Sequence, residues 1–204
     1  MNIKSTPFLH SVTDGLWDDD LLRKVVSEFP VESDRRWKGY FNDKEGKFEG
    51  GPHMFGESTR LLLEEMEALG PQLSELYGIR DLEMRTIGGG FHCIPPGGKL
   101  AIHADFNRST DGLYRRLNML IYLNEGWTDA DGGYLELWDE NTCVEKILPV
   151  FNRTVTFSTS STSFHGHPVP LPGPRSRLSF AAYFFSPEPA SDYVKDHSTV
   201  WRNG

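Results

Sequence analysis

The sequence has few cysteines, fewer basic than acidic residues, and no long apolar run. Two cysteines, Cys93 and Cys143, cannot form a disulfide scaffold or a four-thiolate zinc site, so reduced thiols are expected. The net charge of −8 argues against binding nucleic acid regardless of sequence, which relies on basic residues to neutralise phosphates. No stretch approaches the roughly 20 apolar residues of a membrane span, and the N-terminus lacks an apolar signal core. We therefore expect a cytoplasmic protein without membrane or nucleic-acid partners.

Glycine and proline are abundant instead. The chain of 204 residues contains 20 glycines and 13 prolines, which favours many turns and short strands over a helix bundle. Its length suits one domain with a substantial core. We predict a single domain, 1–204, with a helical buttress and lid segment at 1–80, a β-barrel core at 81–186 and a surface tail at 187–204.

Two helices are predicted in the N-terminal part. The first starts at the acidic run 18–20 and ends before Pro30, with an apolar stripe that includes Val25. The second is expected to start at a cap formed by Ser58 or Thr59. The segment between them, 31–57, is too aromatic for a disordered linker, so we interpret it as an irregular segment or hairpin that could cover a site.

From residue 82 onward the pattern changes to short alternating apolar runs separated by Gly and Pro turn signals. The predicted strands are 82–87, 91–95, 99–104, 117–123, 134–138, 144–148, 153–158, 162–166 and 177–185. So many short strands indicate an antiparallel sandwich or a jelly-roll barrel.

His103 and Asp105 form the most informative pair of residues in this region. They lie two apart near a predicted strand end, so both side chains project from one face. An imidazole and a carboxylate supply two of the three ligands of a two-histidine, one-carboxylate iron site. A third ligand is expected from a later strand, where His165 and His167 are the candidates.

An anion anchor is predicted at Arg177, which opens a strongly apolar strand. A guanidinium there is unfavourable unless it is paired, and the carboxylate of a bound dicarboxylic acid would pair it. Ser179 lies on the same face of that strand.

Several motifs in order resemble one family. The segments are 88–92 (Gly-Gly-Gly-Phe-His), 96–107 (Pro-Gly-Gly-Lys-Leu-Ala-Ile-His-Ala-Asp-Phe-Asn), 115–124 (Arg-Arg-Leu-Asn-Met-Leu-Ile-Tyr-Leu-Asn), 132–138 (Gly-Gly-Tyr-Leu-Glu-Leu-Trp), 163–168 (Ser-Phe-His-Gly-His-Pro) and 177–179 (Arg-Leu-Ser). Together they resemble the iron(II)/2-oxoglutarate-dependent dioxygenases of the prolyl 4-hydroxylase type, over about half of the chain.

The resemblance implies a mainly β fold with flanking helices, a double-stranded β-helix of the jelly-roll, cupin-like kind. It implies His103 and Asp105 as iron ligands and favours His165 over His167 as the third. It assigns Arg177 and Tyr122 to the distal carboxylate of 2-oxoglutarate. Asn118 falls near the cosubstrate in this pattern.

The sequence departs from the family at one position. Many prolyl 4-hydroxylases have a tyrosine eight to eleven residues before the first ligand, and this window holds His92 instead. His92, Asn107, Arg108 and Trp138 are candidate substrate contacts. Each also has a structural interpretation, as a hydrogen-bonded histidine, loop residues or barrel packing.

The implied activity is hydroxylation of an unactivated C–H bond, with release of succinate and carbon dioxide. It requires Fe(II), 2-oxoglutarate and O2, with ascorbate as an optional reductant. Asp105 favours hydroxylation over halogenation, because a small residue there would leave room for halide. The expected substrate is a small molecule, an amino acid or a prolyl residue of a peptide.

Two other functions compete with this one. A non-redox cupin-like binding or isomerase domain would share the barrel, but it has no reason to bury Arg177 with Tyr122. A nucleic-acid demethylase is disfavoured by the charge of −8. The sequence leaves the substrate and the oligomeric state open.

Overall fold

The computed structural model describes residues 1–202, without the side chains of 86 and 87. Three α-helices occur in this range: α1 (Asp19–Glu28), α2 (Glu57–Ala68) and α3 (Gly70–Tyr77). Its strands are β1 (Ile3–Lys4), β2 (His10–Asp14), β3 (Lys38–Phe41), β4 (Gly46–Gly50), β5 (Glu83–Ile94), β6 (Leu100–Ala104), β7 (Tyr114–Tyr122), β8 (Leu135–Trp138), β9 (Cys143–Ile147), β10 (Arg153–Ser158), β11 (Phe164–His167), β12 (Arg177–Ser186) and β13 (Val200–Trp201).

The strands form a major and a minor sheet with antiparallel pairing. In the described residues the major sheet has the order β1-β2-β10-β7-β12-β5-β4-β3, and the minor sheet has the order β13-β6-β11-β8-β9. The crossed strand order of these two sheets is that of a double-stranded β-helix. The fold class predicted from the sequence is confirmed.

Successive side chains along the strands of the major sheet alternate between two hydrophobic cores, one on each face of the sheet. On β7, Leu117, Met119 and Ile121 lie in the core shared with the helices, whereas Tyr122 packs between the sheets with residues of β8 and β10. Successive side chains of a strand point to opposite faces, so a one-residue slip would exchange these two environments. The polar side chains of the inner face are therefore held inside the barrel.

The helices cover the outer face of the major sheet. Leu22 and Val25 of α1 and Leu62 and Met66 of α2 are fully buried in the shared core, as the apolar stripes predict. Within residues 1–202, no helix has the length and apolar character needed to cross a membrane.

The N-terminus of α2 is capped differently from the prediction. The helix starts at Glu57, so Ser58 and Thr59 lie inside its first turn. Glu28, at the end of α1, accepts hydrogen bonds from both of their backbone N–H groups, at 2.8 and 3.0 Å. A carboxylate from another helix replaces the expected local cap, which sequence spacing cannot reveal.

Two predicted strands, 82–87 and 91–95, are one continuous strand, β5. Glycine is required where the two segments meet. Gly90 has φ +107°, and a Cβ there would lie 2.3 Å from the Gly50 carbonyl oxygen. The pairing of β5 with β12 shifts register between Ala181 and Tyr183. The glycine run therefore marks an irregularity within a strand rather than the turn expected between two strands.

The lid segment and the tail both pair with β6. Within 31–57, β3 and β4 form a hairpin that extends the major sheet through β5. The tail is exposed over much of its length, but it also contributes β13, which pairs with β6 beside His103. A surface description of 187–204 is thus incomplete.

Candidate active site

Two neighbouring strands of the minor sheet bring His103 and His165 together. The two residues are direct partners across β6 and β11, and their ring centroids lie 4.5 Å apart. Asp105 follows the end of β6 and turns toward the same point. The three ligand atoms lie within 4.8 Å of one another, and no other such group occurs among the residues that the structure describes.

Backbone hydrogen bonds fix both histidine rings. Nδ1 of His103 lies 2.9 Å from the Ala101 carbonyl oxygen, and Nδ1 of His165 lies 3.0 Å from that of Ser163. With Nδ1–H donating to a carbonyl, Nε2 is the free nitrogen of a neutral ring. These Nε2 atoms lie 3.6 and 3.5 Å from the carboxylate oxygens of Asp105. Two nitrogens and one oxygen without a thiolate suit a divalent transition metal such as iron(II).

The protonation states also suit a metal. Burial, and then the nearby charge of His103, lower the pKa of His165 to about 4. Burial alone would raise the pKa of Asp105, but the charges of Arg115 and His165 hold it well below its usual value. Near pH 7 the histidine is neutral and the carboxylate ionised, which are the forms that bind metal.

A second layer of side chains orients Asp105. Its Oδ2 atom lies 2.9 Å from the guanidinium of Arg115 and accepts a hydrogen bond from the side-chain amide of Asn118 at 2.8 Å. Arg115 also donates to the Asn118 carbonyl oxygen at 2.9 Å, and its guanidinium stacks 3.4 Å from the Tyr183 ring centroid. Because both donors engage Oδ2, Oδ1 has no such donor.

Arg115 was not selected from the sequence, although a signal was present. Its side chain is 3% exposed, and it opens the apolar strand β7 much as Arg177 opens β12. The argument that a buried guanidinium requires an anion applies equally to both. At Arg115 the anion is Asp105.

Arg177 lies at the other end of the same cavity. It is 5% exposed, donates to the Gly133 carbonyl oxygen at 2.9 Å, and lies 3.2 Å from the Tyr122 hydroxyl. No carboxylate within residues 1–202 pairs with it. Burial lowers its pKa and raises that of Tyr122, since both charged forms lose hydration. An anionic ligand group would supply the missing partner.

Unpartnered polar atoms line the space between the two ends. In the described part of the chain, Nε2 of His92 and both ring nitrogens of His167 are buried without a hydrogen-bond partner. Both residues face the cavity that also contains the histidine–aspartate group, Arg177 and Ser179. A metal at one end and a dicarboxylate reaching Arg177 at the other therefore fit these residues.

The narrow inner cavity opens into a wider cleft. The inner space measures about 80 Å³ and the outer cleft about 360 Å³, and both are bordered by His103 and Asp105. Lys38 and Tyr40 of the β3–β4 hairpin and Trp201 of β13 line this cleft. Trp201 lies 5.0 Å from the His103 ring, between centroids.

The remaining candidate residues are distributed unevenly. His92 and His167 both line the inner cavity, and His167 is not part of the three-residue group. Asn107 instead donates to the Lys195 carbonyl oxygen and accepts from the His197 N–H, so it holds the tail. Arg108 pairs with exposed Asp196. Trp138 donates to Glu136, and neither the inner cavity nor the outer cleft includes Asn107, Arg108 or Trp138.

A family model matches the part of the chain that contains the candidate site. The profile of the 2OG-Fe(II) oxygenase superfamily, in which 2OG is 2-oxoglutarate, matches residues 89–185, just under half of the chain. His103, Asp105, His165 and Arg177 all fall within this range. The match supports a 2OG-Fe(II) oxygenase. This superfamily implies iron(II), 2-oxoglutarate and O2 as cofactor and cosubstrates.

Several of the similar proteins are prolyl hydroxylases. The chain is 33% identical to mouse (Mus musculus) prolyl 3-hydroxylase OGFOD1 over 79 residues, 36% of this chain and 14% of that protein. A Pseudomonas putida prolyl-4-hydroxylase structure aligns with TM-score 0.67 and 25% identity, covering 87% of this chain and 92% of that one. A Trichoplax adhaerens prolyl hydroxylase, solved with a hypoxia inducible factor peptide fragment, aligns with TM-score 0.69, 20% identity and coverage of 87% and 83%.

The curated relatives are much longer than this chain. The chain spans 14% of the mouse protein and 15% of a Xenopus laevis prolyl 3-hydroxylase OGFOD1, to which it is 34% identical over 76 residues.

Proposed function

We propose that this chain is an iron(II)- and 2-oxoglutarate-dependent hydroxylase that acts on an aliphatic C–H bond of a prolyl residue in a peptide. The observation that carries the proposal is one cavity with a metal-binding group at one end and an unpaired buried guanidinium at the other. This combination needs both a metal and a dicarboxylate. A small molecule or free amino acid is the alternative substrate.

His103, Asp105 and His165 would hold the iron. Three protein ligands leave further coordination positions open, which is what a metal oxygenase requires. Bound iron(II) supplies the redox chemistry that couples oxidation of 2-oxoglutarate, to succinate and carbon dioxide, to hydroxylation of the substrate. The chain's contribution is to keep His165 neutral and Asp105 ionised and oriented.

Arg177 and Tyr122 would bind the distal carboxylate of 2-oxoglutarate. The guanidinium is fixed by Gly133 and the tyrosine hydroxyl before any ligand arrives, so little reorganisation is needed on binding. Ser179, the neighbour of Tyr122 in the β7–β12 pairing, borders the same space. Asn118 lines the same cavity, and its amide group donates to Asp105 and thereby positions that ligand.

The substrate would enter through the outer cleft. Its lining includes residues of the β3–β4 hairpin and of the tail, so a chain segment in the cleft would contact both while it presents one residue to the metal. The ring of Trp201 beside His103 offers an apolar surface for a pyrrolidine ring. The prolyl hydroxylase relatives, including the one solved with a peptide, support a peptidyl substrate.

A non-redox cupin-like protein would account less well for the site. Such a protein needs the barrel, but it does not need Arg177 held buried with Tyr122 at a distance from the metal group. A cytoplasmic location remains a prediction, supported by the two unpaired thiols, Cys93 and Cys143.

Cosubstrate turnover tests the proposal. The chain is incubated with iron(II), ascorbate, O2 and 2-oxoglutarate, with or without a library of proline-containing peptides, and succinate is quantified. We expect iron-dependent succinate formation that a subset of peptides stimulates, together with a 16 Da mass increase on proline. Absence of succinate formation from protein that holds iron and 2-oxoglutarate would refute the proposal, and oxidation of free amino acids alone would exclude the peptide substrate.

A further inference from the structure

We infer that His167 donates a hydrogen bond to the distal carboxylate of 2-oxoglutarate, beside Arg177. The inference rests on the proposed function, because it needs 2-oxoglutarate in the inner cavity. It gives a ligand-binding role to a histidine that the sequence offers only as an alternative metal ligand. His167 would then be a determinant of affinity for a dicarboxylate, and not of iron binding.

The first observation is that His167 has no partner. Its side chain is 2% exposed, yet neither Nδ1 nor Nε2 has a hydrogen-bond partner among the described residues. Buried imidazoles normally satisfy at least one ring nitrogen, as His103 and His165 do through backbone carbonyls. The contrast within one short strand indicates that the partner of His167 is a ligand of the cavity that it lines.

The second observation is the spacing along β11. His165 and His167 are two residues apart, so both side chains project from the same face of the strand. Two residues of strand advance about 6.5 Å, which is close to the length of an extended five-carbon dicarboxylate. A ligand bound near His165 and extending along this strand therefore brings its far end beside His167.

The third observation is that His167 and Arg177 line the same inner cavity. A ring N–H of His167 can donate to the carboxylate that pairs with Arg177 without adding a second cation. One carboxylate, one guanidinium and one neutral donor form a balanced set. A second cation at the same place would leave an unpaired buried charge.

The alternative ligand role is disfavoured by position. The atoms of His103, Asp105 and His165 converge within 4.8 Å, and His167 is not part of that group. The register of β11 against β6 also shifts between the two histidines. His165 pairs with His103, whereas His167 pairs with Leu100. His167 is thus displaced from the metal end and faces the space toward Arg177.

Binding measurements on metal-substituted protein test the inference without turnover. Manganese(II) replaces iron, and isothermal titration gives dissociation constants for 2-oxoglutarate and for 2-oxobutyrate, which lacks the distal carboxylate. The variants are His167→Val, which removes both nitrogens, and His167→Asn, which keeps a donor. Metal content and the thermal midpoint without ligand are measured for each protein.

We expect His167→Val to weaken 2-oxoglutarate binding about tenfold or more, as for loss of a hydrogen bond to a charged group. Binding of 2-oxobutyrate and metal content should not change. His167→Asn should recover part of the affinity. Without ligand, the valine variant should be as stable as the wild type or more so, because an unpartnered buried polar side chain has been replaced by an apolar one.

The inference would be overturned by unchanged 2-oxoglutarate affinity in His167→Val, by equal losses for both oxo acids, or by an asparagine variant as weak as the valine one. A loss of metal in His167→Val would restore its role as a ligand and also overturn the inference. If the wild-type protein with bound metal fails to bind 2-oxoglutarate, the proposed function itself is refuted. This result differs from the four above, which refute only the role of His167.

Discussion

The two ends of the inner cavity differ in how completely the protein satisfies its own polar groups. At the metal end, His103 and His165 each bond a backbone carbonyl, and Asp105 receives donors from Arg115 and Asn118. At the anchor end, among the residues that the structure describes, Arg177 lacks a carboxylate partner, and Nε2 of His92 and both ring nitrogens of His167 have no hydrogen-bond partner.

This difference separates two kinds of preorganisation. The metal end has its donors aimed before the ion binds, so loss of a supporting residue should loosen metal binding without abolishing it. The anchor end retains unsatisfied groups that lower the stability of the ligand-free protein and are satisfied when a dicarboxylate binds. The metal end is thus organised by the chain, and the anchor end is completed by its ligand.

The strongest test of the comparison removes a metal ligand. His103→Ala or His165→Ala should weaken metal binding by at least about 100-fold, more than the loss typical of a supporting residue, because one of three protein donors is gone. Metal content after dialysis against limiting iron(II) measures this. His167→Val is the matched control and should retain metal; equal loss in all three variants would show that the third ligand is wrongly assigned.

Removing the anchor should give the next largest effect. Arg177→Met should weaken 2-oxoglutarate binding about 100-fold, because a buried charge-assisted pair is lost, while metal affinity stays unchanged. Calorimetric titration of the manganese-loaded protein checks both values. Unaltered 2-oxoglutarate affinity would remove Arg177 from the cosubstrate site.

Removing the side chain that supports Asp105 should have an intermediate effect on the affinity for metal. Arg115→Met should weaken metal binding about tenfold, since Asp105 loses a donor and a neighbouring positive charge that lowers its pKa. Arg108→Met is the control, because Arg108 is an exposed arginine in the loop between Asp105 and β7. If both variants bind metal like the wild type, Arg115 does not position the carboxylate.

The smallest effect concerns stability against pH. Burial, then the charge of Lys47, lowers the pKa of His92 to about 3. Between pH 6.5 and 3 the unfolded chain binds a proton there that the folded chain does not, so stability falls as pH drops through this range, by up to about 1.4 kcal/mol per unit. In metal-free protein, His92→Phe should flatten this loss between pH 7.5 and 5 in urea unfolding. An unchanged slope would show that His92 is not held neutral.

Much of this architecture can be predicted from the sequence, because its signals are local. Alternation along β7 and β12 and the two-residue spacing of His103 and Asp105 follow from strand geometry alone. The unpaired guanidinium of Arg177 follows from its place at the start of an apolar strand. These features depend on neighbours in the chain.

The features that sequence missed depend on contacts between distant segments. Three such contacts join residues whose spacing in the sequence does not predict that they meet. They are the Glu28 cap of α2, the pairing of β13 with β6 and the contact of Arg115 with Asp105. The same is true of Asn107, which lies beside the ligand strand in sequence but binds the tail. Placing His167 near Arg177 likewise requires knowing how the two sheets face each other.

The most direct test of the central claim is an anaerobic titration of the chain with iron(II) and then 2-oxoglutarate, followed by visible absorption. The account predicts a metal-to-ligand charge-transfer band that saturates at one 2-oxoglutarate per chain. The band should be absent in His103→Ala, and in Arg177→Met it should require much more 2-oxoglutarate. No band in the wild type, or the same band at the same concentrations in all three proteins, would contradict a cavity that joins a metal end to an anchor end.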